Sequence, residues 1–341
     1  MKPERILIIQ TASLGDVILS TSLAEGLHNS FPDSSIDYLI KDGYQSLFKN
    51  HPFVNKVYVW RKTSGKYRNL SGLVIRIRRN SYDAVINVHR FASSGIITAL
   101  SGANVRSGFS KNPLSVCFTD KAKHSIGDGR HEIERNFSLL KPILDDLNDL
   151  KISKPRLYPS IDDYLKTNEW RTDYYITISP ASLYFTKRLP EDKWIGLIDQ
   201  LPVSINTILL GSAADSKLCE EIKERSRNKN VVNLAGKLTF LESGALMSTA
   251  KMNYVNDSAP LHIASSLNAP VVAVFCSTVT SFGFGPLSDN STIVETTEKL
   301  SCRPCGLHGY QKCPLGHFKC AQTILIDQLL LPLKYELGNT K

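Results

Sequence analysis

Short runs of β-branched and apolar residues recur along this chain, and residues with helical spacing follow each of them. In the first half the runs are "RILIIQ", "SSIDYLI", "NKVYVW", "YDAVINVH" and "ANVRSGF". In the second half they are "YYITISP", "INTILLG", "NVVNLAG", "MNYVND" and "APVVAVFC". Strands that alternate with helices imply parallel sheets built from βαβ units. Between the first two runs Leu19, Leu23 and Leu27 form an i, i+4, i+8 stripe. Helical spacing also covers "SKLCEEIKERSR" and "FLESGALMSTA" in the second half. Two sets of strands imply two domains, and 341 residues exceed what one core usually supports.

The expected fold class is therefore α/β, with two Rossmann-like, doubly wound domains. They are expected at residues 1–160 and 165–325, with 326–341 as a C-terminal helix. The segment "KISKPRLYPSIDD", residues 151–163, carries two prolines and little periodicity, which suits a linker. Hydrophobic residues make up 42% and charged residues 21%, as in an ordinary globular protein. The start, "MKPERILIIQTASLGD", does not read as a signal peptide. No apolar run approaches the roughly 20 residues needed to cross a bilayer, so a cytoplasmic location is expected.

The net charge of +9 favours an anionic partner. Arg61, Lys62, Lys66, Arg68, Arg76, Arg78 and Arg79 crowd one stretch. That stretch is either a solvated face or a patch for an acceptor or a membrane. A nucleic-acid-binding role finds no recognised reader module and no run of aromatics among these cations.

In open parallel sheets, ligands bind beyond the C-terminal ends of the strands, so the loops there matter most. After the first run, "TASLGD" offers Ser13 and Asp16 at a helix start. Both are ordinary capping residues. The helix dipole there favours an ionised carboxyl, so the expected direction of the Asp16 pKa is down. The absence of G-x-G-x-x-G argues against a nicotinamide dinucleotide.

A second loop, "SPASLYFTKRLPEDKW", supplies hydroxyls at Ser179, Ser182 and Thr186, then the cations Lys187 and Arg188. Pro190 suits the first turn of the helix that follows. Such a loop can cradle a diphosphate. A third, "NDSAPLHIASSLNAP", puts Asp257, Ser258 and His262 at a helix start that could hold a phosphate.

A fourth segment, residues 302–320, holds Cys302, Cys305, Cys313 and Cys320, with His308 and His317 among them. In a cytosolic chain this spacing points to metal, first to a structural zinc held by four thiolates. A histidine could replace one cysteine. An iron–sulfur cluster or two disulfides are the alternatives. A bracing role for the C-terminal segment is expected.

Taken in order, "TASLGDVILSTSLAEGL", "SGANVRSGF", "RHEIERN", "SPAS…TKRLPEDKW" and "NDSAPLHIASSLNAPVVAVF" resemble glycosyltransferase family 9, the lipopolysaccharide core heptosyltransferases. The resemblance runs from residue 5 to about residue 325. It implies GT-B architecture, two Rossmann-like domains facing across a cleft. It implies inverting transfer of a heptose from ADP-heptose to a lipid-anchored anionic acceptor at the inner face of the inner membrane, without a catalytic metal. By the same resemblance Asp16 is the general base and Lys187 neutralises the leaving diphosphate. Ser182 also reaches phosphate, and Asp257, Ser258 and His262 form the nucleotide-binding helix start. Thr186 joins the donor contacts, and Ser13, Arg61 and Lys62 the acceptor contacts. The chain departs from the family pattern at Ala259, where a glycine is usual, and at Leu189, where a tryptophan is usual. A nucleotide-sugar epimerase of the same architecture is the alternative enzyme, and a polyanion-binding protein the non-enzymatic alternative.

Overall fold

The computed structural model describes residues 2–61, 66–144 and 152–338. The chain divides into two units, Met1–Tyr158 and Pro159–Lys341.

In the first unit the elements are β1 (Arg5–Gln10), α1 (Leu14–Ser30), β2 (Ser35–Lys41), β3 (Val54–Trp60), α2 (Lys66–Arg79) and β4 (Ala84–Asn87). They continue with α3 (Ala92–Leu100), β5 (Val105–Phe109), β6 (Asp120–Ala122) and α4 (Glu132–Phe137). The six strands pair in the order β3-β2-β1-β4-β5-β6. Every pairing is parallel.

The second unit begins with α5 (Ile161–Lys166), β7 (Tyr175–Ser179), α6 (Glu191–Asp199), β8 (Asn206–Leu209), α7 (Ser216–Arg225) and β9 (Val231–Asn233). There follow α8 (Phe240–Thr249), β10 (Met252–Asn256), α9 (Ala259–Ser266), β11 (Val271–Phe275), β12 (Ser291–Glu295), α10 (Lys319–Gln322) and α11 (Ile326–Gly338). Its sheet runs β12-β11-β10-β7-β8-β9, again wholly parallel. Both sheets share one design, in which the first strand of the unit pairs with its fourth.

Each sheet holds a sixth strand that the sequence pattern does not reveal. β6 is three residues long, reads "DKA" and is incompletely buried, so it carries no hydrophobic signal. β12 lies at an edge and buries mainly Val294. The central strands β4, β7, β10 and β11 are buried along their whole length, as expected for strands covered on both faces.

One face of the first sheet, with Leu7 and Ile9, packs on Leu70, Leu73 and Ile77 of α2 and Ile97 of α3. In the second unit, α6, α7 and α11 share a core with Ile176, Ile178, Val272 and Val274. Leu329, Leu330 and Leu333 anchor α11 there, and the Tyr254 hydroxyl donates to the Leu329 carbonyl at 3.0 Å.

The leucine stripe of α1 understates its burial, because every residue from Val17 to Leu27 is enclosed. The polar run Ser20, Thr21 and Ser22 tolerates this by donating back to the carbonyls of Val17, Ile18 and Leu19 at 2.7–2.8 Å. Thr21 also accepts the Arg156 N–H at 2.9 Å, which fixes the last stretch of the unit on the helix.

At Gly26 the packing is close enough to need glycine. A Cβ there would sit 2.7 Å from the Phe137 ring of α4. Gly26→Ala should therefore cost about 1–3 kcal/mol by overpacking. Phe137→Leu in the same chain should recover part of that loss in a denaturant titration.

Candidate functional site

Each sheet changes its direction of winding beside its first strand, and ligands of open parallel sheets bind at that reversal. In the first unit the loops after β1 and β4 flank the reversal, and in the second unit the loops after β7 and β10 do so.

The loop after β1 holds the Ser13–Asp16 pair in a reciprocal capping box on α1. The Ser13 hydroxyl donates to Asp16 Oδ2 at 2.6 Å and the Ser13 N–H donates to the same oxygen at 3.1 Å. The Asp16 N–H donates back to the Ser13 hydroxyl at 3.5 Å. Among the described residues Oδ1 of Asp16 has no hydrogen-bond partner.

The expected direction of the Asp16 pKa is corrected by the structure. Burial of the carboxyl, the largest cause, raises it, and the charge of Glu132 adds to the rise. The Ser13 hydrogen bonds and Arg90 pull the other way but do not prevail. The dipole argument fails here because burial outweighs it. Glu132 remains the ionised neighbour. Burial alone would lift its pKa too, but hydrogen bonds from His124 at 3.0 Å and Arg135 at 2.8 Å hold it below the ordinary value.

In the second unit Lys187 and Asp257 meet. The ammonium lies 2.6 Å from Asp257 Oδ2, and the Thr278 hydroxyl donates to that oxygen at 2.6 Å. The two loops are also stitched together through Asn256. Its Oδ1 accepts the Leu189 N–H at 3.0 Å and its Nδ2 donates to the Pro180 carbonyl at 2.7 Å. Pro190 stands at the N-cap position of α6, just before its first turn and without a capping bond, and Glu191 and Asp192 open that turn. Ser258 stands at the cap position of α9 without a side-chain bond to the helix. Pro260 has no N–H, and the Leu261 N–H donates to the Ser258 carbonyl at 3.1 Å. The helix start therefore offers an anion fewer donors than its position suggests. His262 is buried one turn further on.

Several sequence-derived site residues have structural duties. Ser13 is the cap that holds Asp16. Thr186 is buried, and its hydroxyl accepts both the Tyr310 N–H at 2.8 Å and the Ser277 hydroxyl at 3.1 Å. Ser182 is buried, and its carbonyl accepts the Arg188 guanidinium at 2.6 Å. Arg61 is exposed, with Asp42 4.0 Å away, and Lys62 lies outside the described residues.

The cysteine-rich segment clasps the same loops. Arg303 donates to the carbonyls of Phe275, Cys276 and Thr278 and to the Glu295 carboxylate. The Cys305 N–H donates to the Ser277 carbonyl at 2.8 Å. None of the seven cysteines is paired with another in the structure. Cys302 Sγ lies 3.9 Å from His317 Nε2, Cys305 Sγ approaches the Cys302 carbonyl, and Cys313 Sγ accepts the Phe318 N–H. Burial, with neighbouring cysteines, pushes Cys320 up to about 11. Among the described residues no group of three or more His, Cys, Asp or Glu is arranged to hold a metal, so the zinc expectation gains no support. Arg303, Ser277, Thr278 and Gly309 were not among the sequence candidates. Ser277 and Thr278 carry the one usable signal, two hydroxyls directly after the apolar run "VVAVFC".

The family model for glycosyltransferase family 9 (heptosyltransferase) matches residues 72–310. Lipopolysaccharide heptosyltransferase 3 of Escherichia coli K12 is 29% identical over 286 residues, covering 77% of this chain and 80% of that protein. Two solved structures share the fold. The family 9 glycosyl transferase of Veillonella parvula DSM 2008 gives a TM-score of 0.83 at 20% identity, over 99% of this chain and 98% of that one. The E. coli ADP-heptose lps heptosyltransferase II gives 0.82 at 22% identity, over 98% and 99%. Among the described residues no helix is long and apolar enough to cross a membrane.

Gly309 is where the clasp comes closest. Its φ is +74°, and a Cβ there would sit 2.7 Å from the Thr186 hydroxyl and 3.1 Å from Lys187 Cγ. Gly309→Ala should cost about 1–3 kcal/mol of stability, measured as a lower denaturation midpoint.

Proposed function

The chain belongs to glycosyltransferase family 9, and we propose that it moves a heptose from ADP-heptose to a hydroxyl of a lipopolysaccharide core acceptor, with inversion at the anomeric carbon. The observation that carries this reading is Asp16, with Oδ2 locked by Ser13 and Oδ1 left unbonded among the described residues. Related proteins support the donor. One solved relative is an E. coli ADP-heptose lps heptosyltransferase, and the E. coli heptosyltransferase WaaC has been solved with ADP.

In this mechanism the first unit carries the acceptor and the second the donor. Asp16 Oδ1 accepts the proton of the acceptor hydroxyl as its oxygen attacks the anomeric carbon. The bond from that carbon to the distal phosphate oxygen breaks, and ADP leaves with the electron pair. Lys187 neutralises the charge growing on the diphosphate. Asp257 carries negative charge that would repel phosphate, so it acts by aiming the Lys187 ammonium, and Thr278 steadies it. Ser182, Ser258 and His262 complete the donor contacts. No metal takes part in any step.

The acceptor is a lipid-anchored anionic saccharide at the inner face of the inner membrane. Supporting this, Arg68, Arg76, Arg78 and Arg79 of α2 are exposed and form no ion pair among the described residues. Arg61 and Ser13 border the same side of the reaction in this reading.

Asp16→Asn should lower kcat by about 10²–10⁴-fold, while the Kd for ADP, measured by calorimetry, stays near wild type. Lys187→Ala should lower kcat by about 10²–10³-fold and weaken ADP as well. Near wild-type turnover in Asp16→Asn, with chemistry rate-limiting, would overturn the base assignment. Tighter binding of UDP or GDP than of ADP would overturn the donor assignment.

A further inference from the structure

The first sheet's reversal has two sides, and the Asp16 loop occupies one of them. The other side is the loop His89–Phe91 between β4 and α3. Strand register places it directly opposite the Asp16 loop, since Ile9 pairs with Asn87 and the Val88 N–H donates to the Ile9 carbonyl at 3.0 Å. A bond of 2.7 Å between the Thr11 hydroxyl and His89 Nδ1 ties the two loops together.

The backbone of this loop is fixed from beneath. Asn112 Nδ2 donates to the carbonyls of His89 and Phe91, each at 3.1 Å. The Ser94 hydroxyl also reaches both carbonyls, at 3.0 and 2.8 Å. Gly95 admits Asn112 to this position, because a Cβ there would lie 2.3 Å from Asn112 Oδ1.

On this rigid base the two remaining side chains stand unused. Phe91 is 68% exposed, touching the His89 ring edge-on at 4.8 Å. Arg90 is partly exposed, and among the described residues it makes no hydrogen bond or ion pair. A loop held by four side-chain bonds gains nothing in stability from displaying a phenyl ring to water. Nor does a guanidinium with no hydrogen bond or ion pair among the described residues serve the fold. Both suit recognition of something that arrives.

Resting on the reading of Asp16 as the base, we propose that the β4–α3 loop reads the acceptor. The Arg90 guanidinium takes an acidic group of the acceptor saccharide, and the Phe91 ring stacks on the apolar face of one of its sugars. An anionic acceptor approaching Asp16 is repelled by that carboxylate, with the charge of buried Glu132 behind it. The charge of Arg90 is felt at Asp16 and offsets part of that repulsion. Carbohydrate faces present C–H groups to an aromatic ring, and a phenyl carried on a fixed backbone loses little loop entropy on binding.

The test uses the full chain and the delipidated core oligosaccharide from a strain lacking this protein, titrated calorimetrically without donor. Phe91→Ala and Arg90→Gln should each weaken oligosaccharide binding by about tenfold. Both should leave ADP binding unchanged, which also reports an intact fold. With an oligosaccharide that has been dephosphorylated and carboxyl-reduced, the Arg90→Gln penalty should vanish and the Phe91→Ala penalty should persist. Oligosaccharide affinities within about twofold of wild type for both variants would overturn the assignment. Because no donor or chemistry enters this titration, that failure is separate from any failure of Asp16→Asn to lose turnover.

Discussion

Parallel pairing of the first strand of each unit with its fourth, β1 with β4 and β7 with β10, decides where chemistry can occur in this chain. Parallel strands all end on the same side of a sheet. Where the winding reverses, successive loops part and leave room between them for side chains that meet a ligand. Asp16 and His89 stand on the two sides of that point in one unit. Lys187 and Asp257 do so in the other, close enough to bond. The buried central strands are the price of this arrangement, and their continuous apolar sequence is why the fold reads so clearly.

The first loop shows how one side chain can serve both structure and reaction. Ser13 and Asp16 form a capping box, but so do Ser160 with Asp163 and Ser212 with Asp215. The box alone therefore says nothing about function. Asp16 differs in its place after β1 and in its surroundings, where burial and the Glu132 charge lift its pKa. The cap holds one carboxylate oxygen and so aims the other. Burial makes the ionised form a stronger base than a solvated aspartate would be.

The strands buried on both faces were legible in the sequence, and so were the edge strands β3 and β9, whose runs are mostly β-branched and apolar. The edge strands β6 and β12 were not, because β6 is short and charged and β12 is half exposed. The Lys187–Asp257 meeting joins residues 70 positions apart, which only strand order brings together. Its two loops were nevertheless recognisable as strand ends rich in hydroxyls and charge. Thr186 looked like a ligand contact by composition, yet its hydroxyl fastens residue 310. Arg303 looked like part of a metal segment, yet it clamps three carbonyls and a carboxylate. Hydroxyls and guanidiniums suit both uses, and only the fold distinguishes them.

The pH dependence of kcat/KM, compared between wild type and Ser13→Ala, bears most directly on Asp16 as a cap-aimed base. Ionised Asp16 is the active form, so activity should fall as pH drops through its pKa. That acid limb should lie above the ordinary aspartate value of 3.8. Ser13 stabilises the carboxylate, so its removal should move the limb to still higher pH. A limb at the ordinary aspartate value, or one that Ser13→Ala does not move, would contradict the assignment.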